Sequence, residues 1–74
     1  MQVTIKLFAD FRNKRFNIEV RTMAPGLTVG AIVTELAIAR EEVGVILING
    51  RHGSLDQTLV EGDTLSLFPL IGGG

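Results

Sequence analysis

The sequence predicts an α+β domain, a mixed β-sheet with one main helix packed on one face. Three observations carry that prediction. Residues 2–8 and 16–21 alternate apolar and polar side chains, as half-buried strands do. Residues 29–37 switch to the spacing of a helix, and residues 64–69 return to period two.

Taken in order, the first run places Val3, Ile5 and Leu7 on one face and Thr4, Lys6 and Phe8 on the other. Asp10–Lys14 is polar, carries turn-forming Asp and Asn, and reads as a loop. The basic cluster Arg12, Lys14 and Arg15 reads as a solvated part of that loop. Phe16, Ile18 and Val20 then alternate with Asn17, Glu19 and Arg21, and the two runs form a hairpin.

Pro25-Gly26 breaks the pattern, and Thr28 is placed to cap a helix. Val29, Ile32, Val33, Leu36 and Ala37 make one apolar stripe, which predicts about three helical turns. The charged stretch Arg40-Glu41-Glu42 closes that helix, and Gly44 turns the chain. Val45–Ile48 is apolar without alternation, which suits a strand covered on both faces. Asn49-Gly50 is a tight-turn signal. Ser54–Gln57 has capping-box spacing and predicts a single helical turn, and Glu61-Gly62-Asp63 predicts another turn. In the last strand Leu65 and Leu67 oppose Thr64, Ser66 and Phe68, and Pro69 ends the pattern. The order is strand, strand, helix, strand, an irregular segment with one short strand, then strand. This is the β-grasp, or ubiquitin-like, arrangement, with one domain over residues 1–69 and a flexible glycine tail over 70–74.

Composition narrows the function. A chain of 74 residues holds one core, and 46% hydrophobic with 20% charged residues is too apolar for disorder. Without cysteine there is no disulfide, thiolate metal site or iron–sulfur cluster. A net charge of −1 lacks the basic surplus that binds nucleic acid. No apolar run reaches membrane-spanning length, and the amino-terminal residues alternate instead of forming a signal peptide. A soluble, cytoplasmic protein is expected.

His52 is the only histidine, so neither a histidine metal cluster nor a Ser-His-Asp relay can be assembled within one chain. Glu41 and Glu42 are adjacent and diverge, and Asp56, Glu61 and Asp63 fit turns. The glycines come last with no helix after them, unlike a phosphate-binding loop. An enzyme acting alone is therefore not expected, and no metal site is. What remains is Leu70-Ile71-Gly72-Gly73-Gly74, a segment that narrows to three residues without side chains. Fully extended, it reaches roughly 17 Å, enough to carry a carboxylate deep into another protein's pocket.

With those residues in view, the whole chain resembles the small subunit of molybdopterin synthase and its relatives, the MoaD/ThiS-type sulfur carriers. The resemblance rests on Val3–Ala9, on Ile48-Asn49-Gly50 with Leu59–Asp63, and on the ending Leu67–Gly74. It implies that an E1-like partner adenylates the Gly74 carboxylate with ATP and magnesium. A sulfur donor then displaces AMP to leave a thiocarboxylate. The tail delivers that sulfur to a second partner, the large subunit of molybdopterin synthase or a similar acceptor. No cofactor is bound by the carrier itself. By the same resemblance Gly73 and Gly74 match the family's terminal Gly-Gly, and Phe68 matches a partner-packing position. Strand parity places Phe8 and Phe68 outward on neighbouring strands, as an apolar docking patch. Pro69, Leu70 and Ile71 complete the expected partner contacts. The chain departs from the family at Leu70, where a second proline is frequent, and at Gly72, where Ala or Thr is usual. Three alternatives stay open: a carrier for thiamine thiazole formation, a ubiquitin-like modifier conjugated to lysines, and a binding module that uses only its sheet face.

Overall fold

The computed structural model describes residues 1–70. Its strands are β1 (Gln2–Leu7), β2 (Ile18–Thr22), β3 (Val43–Ile48), β4 (Arg51–His52) and β5 (Thr64–Pro69), with helix α1 at Val29–Glu35. The sheet order is β2-β1-β5-β3-β4. β1 and β5 pair in parallel, with Ile5 beside Leu65 and Leu7 beside Leu67, and the other neighbours are antiparallel. Thus the first and last strands lie together at the centre, which gives the mixed sheet of a β-grasp fold. Among the described residues no helix is long and apolar enough to cross a membrane.

The period-two strands bury one face each. Val3, Ile5 and Leu7 of β1, Leu65 and Leu67 of β5, and Ile46 and Ile48 of β3 form one core with Val29, Ile32, Val33 and Leu36. The Thr28 hydroxyl caps α1 by accepting from the Ala31 amide at 3.1 Å. The next free amides, Val29 and Gly30, donate to the carbonyls of Gln57 and Leu55. The segment expected to form a helical turn at Ser54–Gln57 is instead a hydrogen-bonded turn. Its Leu55 and Gln57 carbonyls accept from the first amides of α1, while Ser54 O closes the turn by accepting from Gln57 N–H.

The helix is shorter than its apolar stripe suggests. It spans seven residues, and Arg40–Glu42 forms a separate 3-10 turn. The chain leaves α1 through a Schellman motif, with Ile38 N–H donating to Val33 O and Ala37 N–H to Thr34 O. Ala37 takes a φ of 58° there. A side chain in that conformation costs about 1 kcal/mol that glycine escapes. Ala37→Gly is therefore expected to stabilise the domain by about 0.5–1 kcal/mol. The check is a higher denaturant midpoint with an unchanged slope.

Two strand assignments are corrected. In β2 the apolar residues face solvent: Ile18 and Val20 are 62% and 61% exposed. Cross-strand partners share a face, and Ile5 pairs with Glu19 while Val3 pairs with Arg21. The core beside the hairpin is filled by Phe11, tucked in from the 3-10 turn Ala9–Arg12, and by half-buried Phe16. The loop at 10–14 therefore contributes to the core. In β3 only one face is covered, since Ile46 and Ile48 are buried whereas Val45 is exposed and Leu47 half-buried. The expected turn at Asn49-Gly50 is present, with φ of 52° and 81°, the pair of positive values that a two-residue hairpin requires.

Candidate functional site: the root of the tail and the open sheet face

β5 carries the chain from the centre of the sheet to the tail. Parity along it sends Leu65 and Leu67 into the core and Phe68 to the open face. Phe8 follows β1 on the same face, and its amide donates to Leu67 O at 3.2 Å. The two rings stack with centroids 4.1 Å apart and planes 8° from parallel. Both are half-buried, so each ring covers part of the other and remains partly open to solvent. The Arg12 guanidinium sits 5.4 Å from the Phe8 centroid, and its Nε donates to Leu7 O at 2.8 Å. Val45 pairs with Phe68 and extends the apolar surface onto β3. The two aromatics that strand parity places on one face thus lie together there, half-buried.

The root of the tail is built by close backbone packing. Leu70 N–H donates to Glu42 O at 2.9 Å, while its side chain is exposed. Opposite, β3 carries an irregularity between Val43 and Val45. A Cβ on the intervening Gly44 would lie 2.9 Å from Pro69 O and 3.0 Å from Leu70 N and Cα. Gly44 lies within a strand, where it lets the tail root approach, and does not turn the chain. Beside this root lies a cavity of about 280 Å³, lined by Asp10, Phe11, Arg15, Ile38, Glu42, Pro69 and Leu70.

Arg15 fixes one wall of that cavity. It donates from Nε to Leu36 O, from Nη2 to Ala37 O and from Nη1 to Phe11 O, at 3.0, 3.1 and 3.2 Å. A cation on the carbonyl end of α1 also matches the helix dipole. Arg12, Lys14 and Arg15 are exposed between β1 and β2, as a solvated loop requires, and Arg12 and Arg15 also anchor main-chain carbonyls. Buried Asp63 has a similar role: it accepts from Asn49 Nδ2 at 2.8 Å and Val60 N at 2.9 Å, tying the β3–β4 turn to the start of β5.

Of the residues singled out in the sequence, the structure brings Phe8 and Phe68 together and sets Pro69 and Leu70 at the tail root. Ile71, Gly72, Gly73 and Gly74, and with them the expected flexible tail, lie outside the described residues. Sequence reasoning missed Gly44, Glu42, Arg12 and Arg15. Gly44 had a signal, being a glycine beside a β-branched run, where close backbone approach is common. The other three act through or upon main-chain carbonyls, which leave no mark in a residue pattern. Among the described residues no group of His, Cys, Asp and Glu could hold a metal ion, and no buried polar side-chain atom lacks a hydrogen bond.

Comparison with known proteins accords with this geometry. The family model named ThiS family matches residues 5–74. No curated protein matches the sequence. Among solved structures, SAMP1 from Haloferax volcanii is similar at a TM-score of 0.76 and 26% identity, with both chains covered in full. A Pyrococcus furiosus protein described as subunit 1 of a molybdopterin converting factor is similar at 0.76 and 26%, covering 96% of this chain and 99% of that one. A chain in the complex of subunits 1 and 2 of the Helicobacter pylori molybdopterin-converting factor shares the fold at 0.65, with 18% identity and full coverage of both. With a family match over almost its whole length and a β-grasp sheet built around parallel β1 and β5, the chain belongs to the ThiS family, the MoaD/ThiS-type ubiquitin-like sulfur carriers.

Proposed function

We propose that the chain is a sulfur carrier for molybdopterin synthesis whose working group is the carboxylate of Gly74. The observation that carries this reading is the closely packed root that the fold builds for the tail, in a family match that runs through Gly74. On this reading an E1-like partner, using ATP and magnesium, joins the carboxylate to AMP with loss of pyrophosphate. Sulfur from a donor displaces AMP and leaves a thiocarboxylate. A carboxylate is a poor acyl donor, and adenylation supplies the leaving group it lacks. Glycines at 72–74 keep the approach to both partner sites narrow. The P. furiosus relative, described as one subunit of a converting factor, supports a large-subunit partner that consumes the sulfur. Catalysis then belongs to the partners, and the carrier is a recycled co-substrate.

The Phe8–Phe68 stack with Val45 is the docking surface in this scheme. Phe68→Ala is expected to cost about 0.5–1.5 kcal/mol of stability through the lost stack. It should cost 2 kcal/mol or more in partner affinity, as central aromatic anchors do. Calorimetric titration with the large subunit, beside a denaturation curve, separates the two. Equal losses in both would assign Phe68 to the core.

The test of the carrier reading is the intact mass after incubation with the activating enzyme, ATP and a sulfur source. The mass difference of one sulfur replacing one oxygen, confined to the peptide ending at Gly74, is the expected result. The likeness to SAMP1, a small archaeal modifier protein, favours a second reading as a protein modifier. An isopeptide bond from Gly74 to a lysine in cellular adducts, without thiocarboxylate, would establish that reading in its place.

A further inference from the structure

β2 lies at one edge of the sheet, opposite the short β4, and pairs on one side only among the described residues. Leu7 N–H donates to Asn17 O and Met23 N–H donates to Met1 O. Because antiparallel pairing alternates, residues 17, 19, 21 and 23 direct their main-chain groups at β1. Ile18, Val20 and Thr22 therefore direct theirs away from the sheet. All three are β-branched and exposed. A row of open N–H and C=O groups under β-branched side chains is a template for another strand.

The charges on β2 determine what that strand can be. Glu19 and Arg21 lie on the helix side of the sheet, half-buried, with Arg21 Nε 2.9 Å from Glu19 Oε1. They flank Val20 symmetrically. If a second β2 pairs antiparallel with Val20 opposite its own counterpart, Glu19 faces Arg21 of the other copy and Arg21 faces its Glu19. Shifting the register by two residues in either direction, the smallest step that keeps outward groups together, sets Glu19 against Glu19 or Arg21 against Arg21. Parallel pairing in register does both. Like charges directly opposite are destabilising and opposite charges stabilising, so one closed arrangement is selected.

We propose that two copies of this chain associate through the free edges of β2, antiparallel about a twofold axis at Val20. Ile18 then pairs with Thr22 of the second copy, and the three outward-facing pairs exchange roughly six main-chain hydrogen bonds. The sheets join into one, and an isologous contact of this kind closes at a dimer. The axis is perpendicular to the sheet, so both Phe8–Phe68 surfaces face the same side and both tail roots stay clear. Each tail remains available to a partner while the carrier is paired.

Sedimentation equilibrium of the full chain, from micromolar to millimolar concentration, is expected to show a monomer–dimer equilibrium. Glu19→Arg and Arg21→Glu, each placing like charges opposite, should weaken the dimer at least roughly tenfold. Mixing the two single variants should restore association, because one copy then offers two cations to the other's two anions. The double exchange should restore it within one chain. Val20→Lys should also weaken the dimer, and circular dichroism establishes that each variant is folded. A wild type that stays monomeric to millimolar concentration overturns the proposal and leaves the edge to an extended segment of another protein. A dimer that ignores the single charge reversals, or variants that do not recover on mixing, also overturns it.

Discussion

Gly44→Ala is expected to leave the sheet folded while slowing thiocarboxylate formation by roughly 10–100-fold. A displacement of about 1 Å remote from the reacting atoms suffices for a loss of that size. The added methyl would meet Pro69 O at 2.9 Å and the Leu70 backbone at 3.0 Å. Those contacts are main chain, so no side chain can swing aside. Either β3 bows away from β5 or the tail root moves and the hydrogen bond from Leu70 N–H to Glu42 O breaks. The domain should lose about 1–3 kcal/mol, the usual cost of inserting a methyl group into packed structure. Intact-mass time courses with the activating enzyme measure the rate, and circular dichroism verifies the fold. A variant activated at the wild-type rate would show that the root does not aim the tail.

The second large effect concerns stability. Leu67→Ala should cost about 2–5 kcal/mol. Leu67 is fully buried on the central strand, with Leu7 beside it in parallel register and Ile46 beside it in antiparallel register. A cavity there is walled by two strands that cannot collapse inward without breaking their ladders. Domains of this size have total stabilities of roughly 5 kcal/mol, so the unfolded fraction at room temperature should rise to between about 1% and about half of the population. Leu67→Met, which keeps the volume, should cost less than about 1.5 kcal/mol and serves as the control. Urea denaturation of the two variants side by side makes the comparison. A loss below about 1 kcal/mol for the alanine would mean that the strand relaxes into the cavity.

The elements with unbroken periodicity were legible in the sequence, and with them the fold. Val3, Ile5 and Leu7, then Val29, Ile32 and Val33 after Thr28, and Leu65 and Leu67 all lie where their spacing places them. Phe8 and Phe68 were legible too, because parity is fixed once a strand's buried face is known. Ile18 and Val20 show the limit of that argument. Alternation says that a strand has two faces, but the register with β1 decides which one is covered. Leu36 and Ala37 continued the stripe past the end of α1, and a stripe carries no information about a Schellman exit. The roles of Arg15 and Glu42 depend on carbonyls brought close by tertiary structure, so residue type gave no hint of them.

The parallel pairing of β1 with β5 has a consequence for synthesis. β5 fills the slot between β1 and β3, so a nascent chain that stops short of it has two central strands with open edges and half a core. Such a fragment has no partial fold to settle into, and its exposed apolar faces would mark it for proteolysis. A molecule that passes this checkpoint has been translated through the strand leading into its tail. The fold therefore acts as an inspection of the chain's own manufacture, since only copies translated through β5 present the completed sheet and its stacked aromatics.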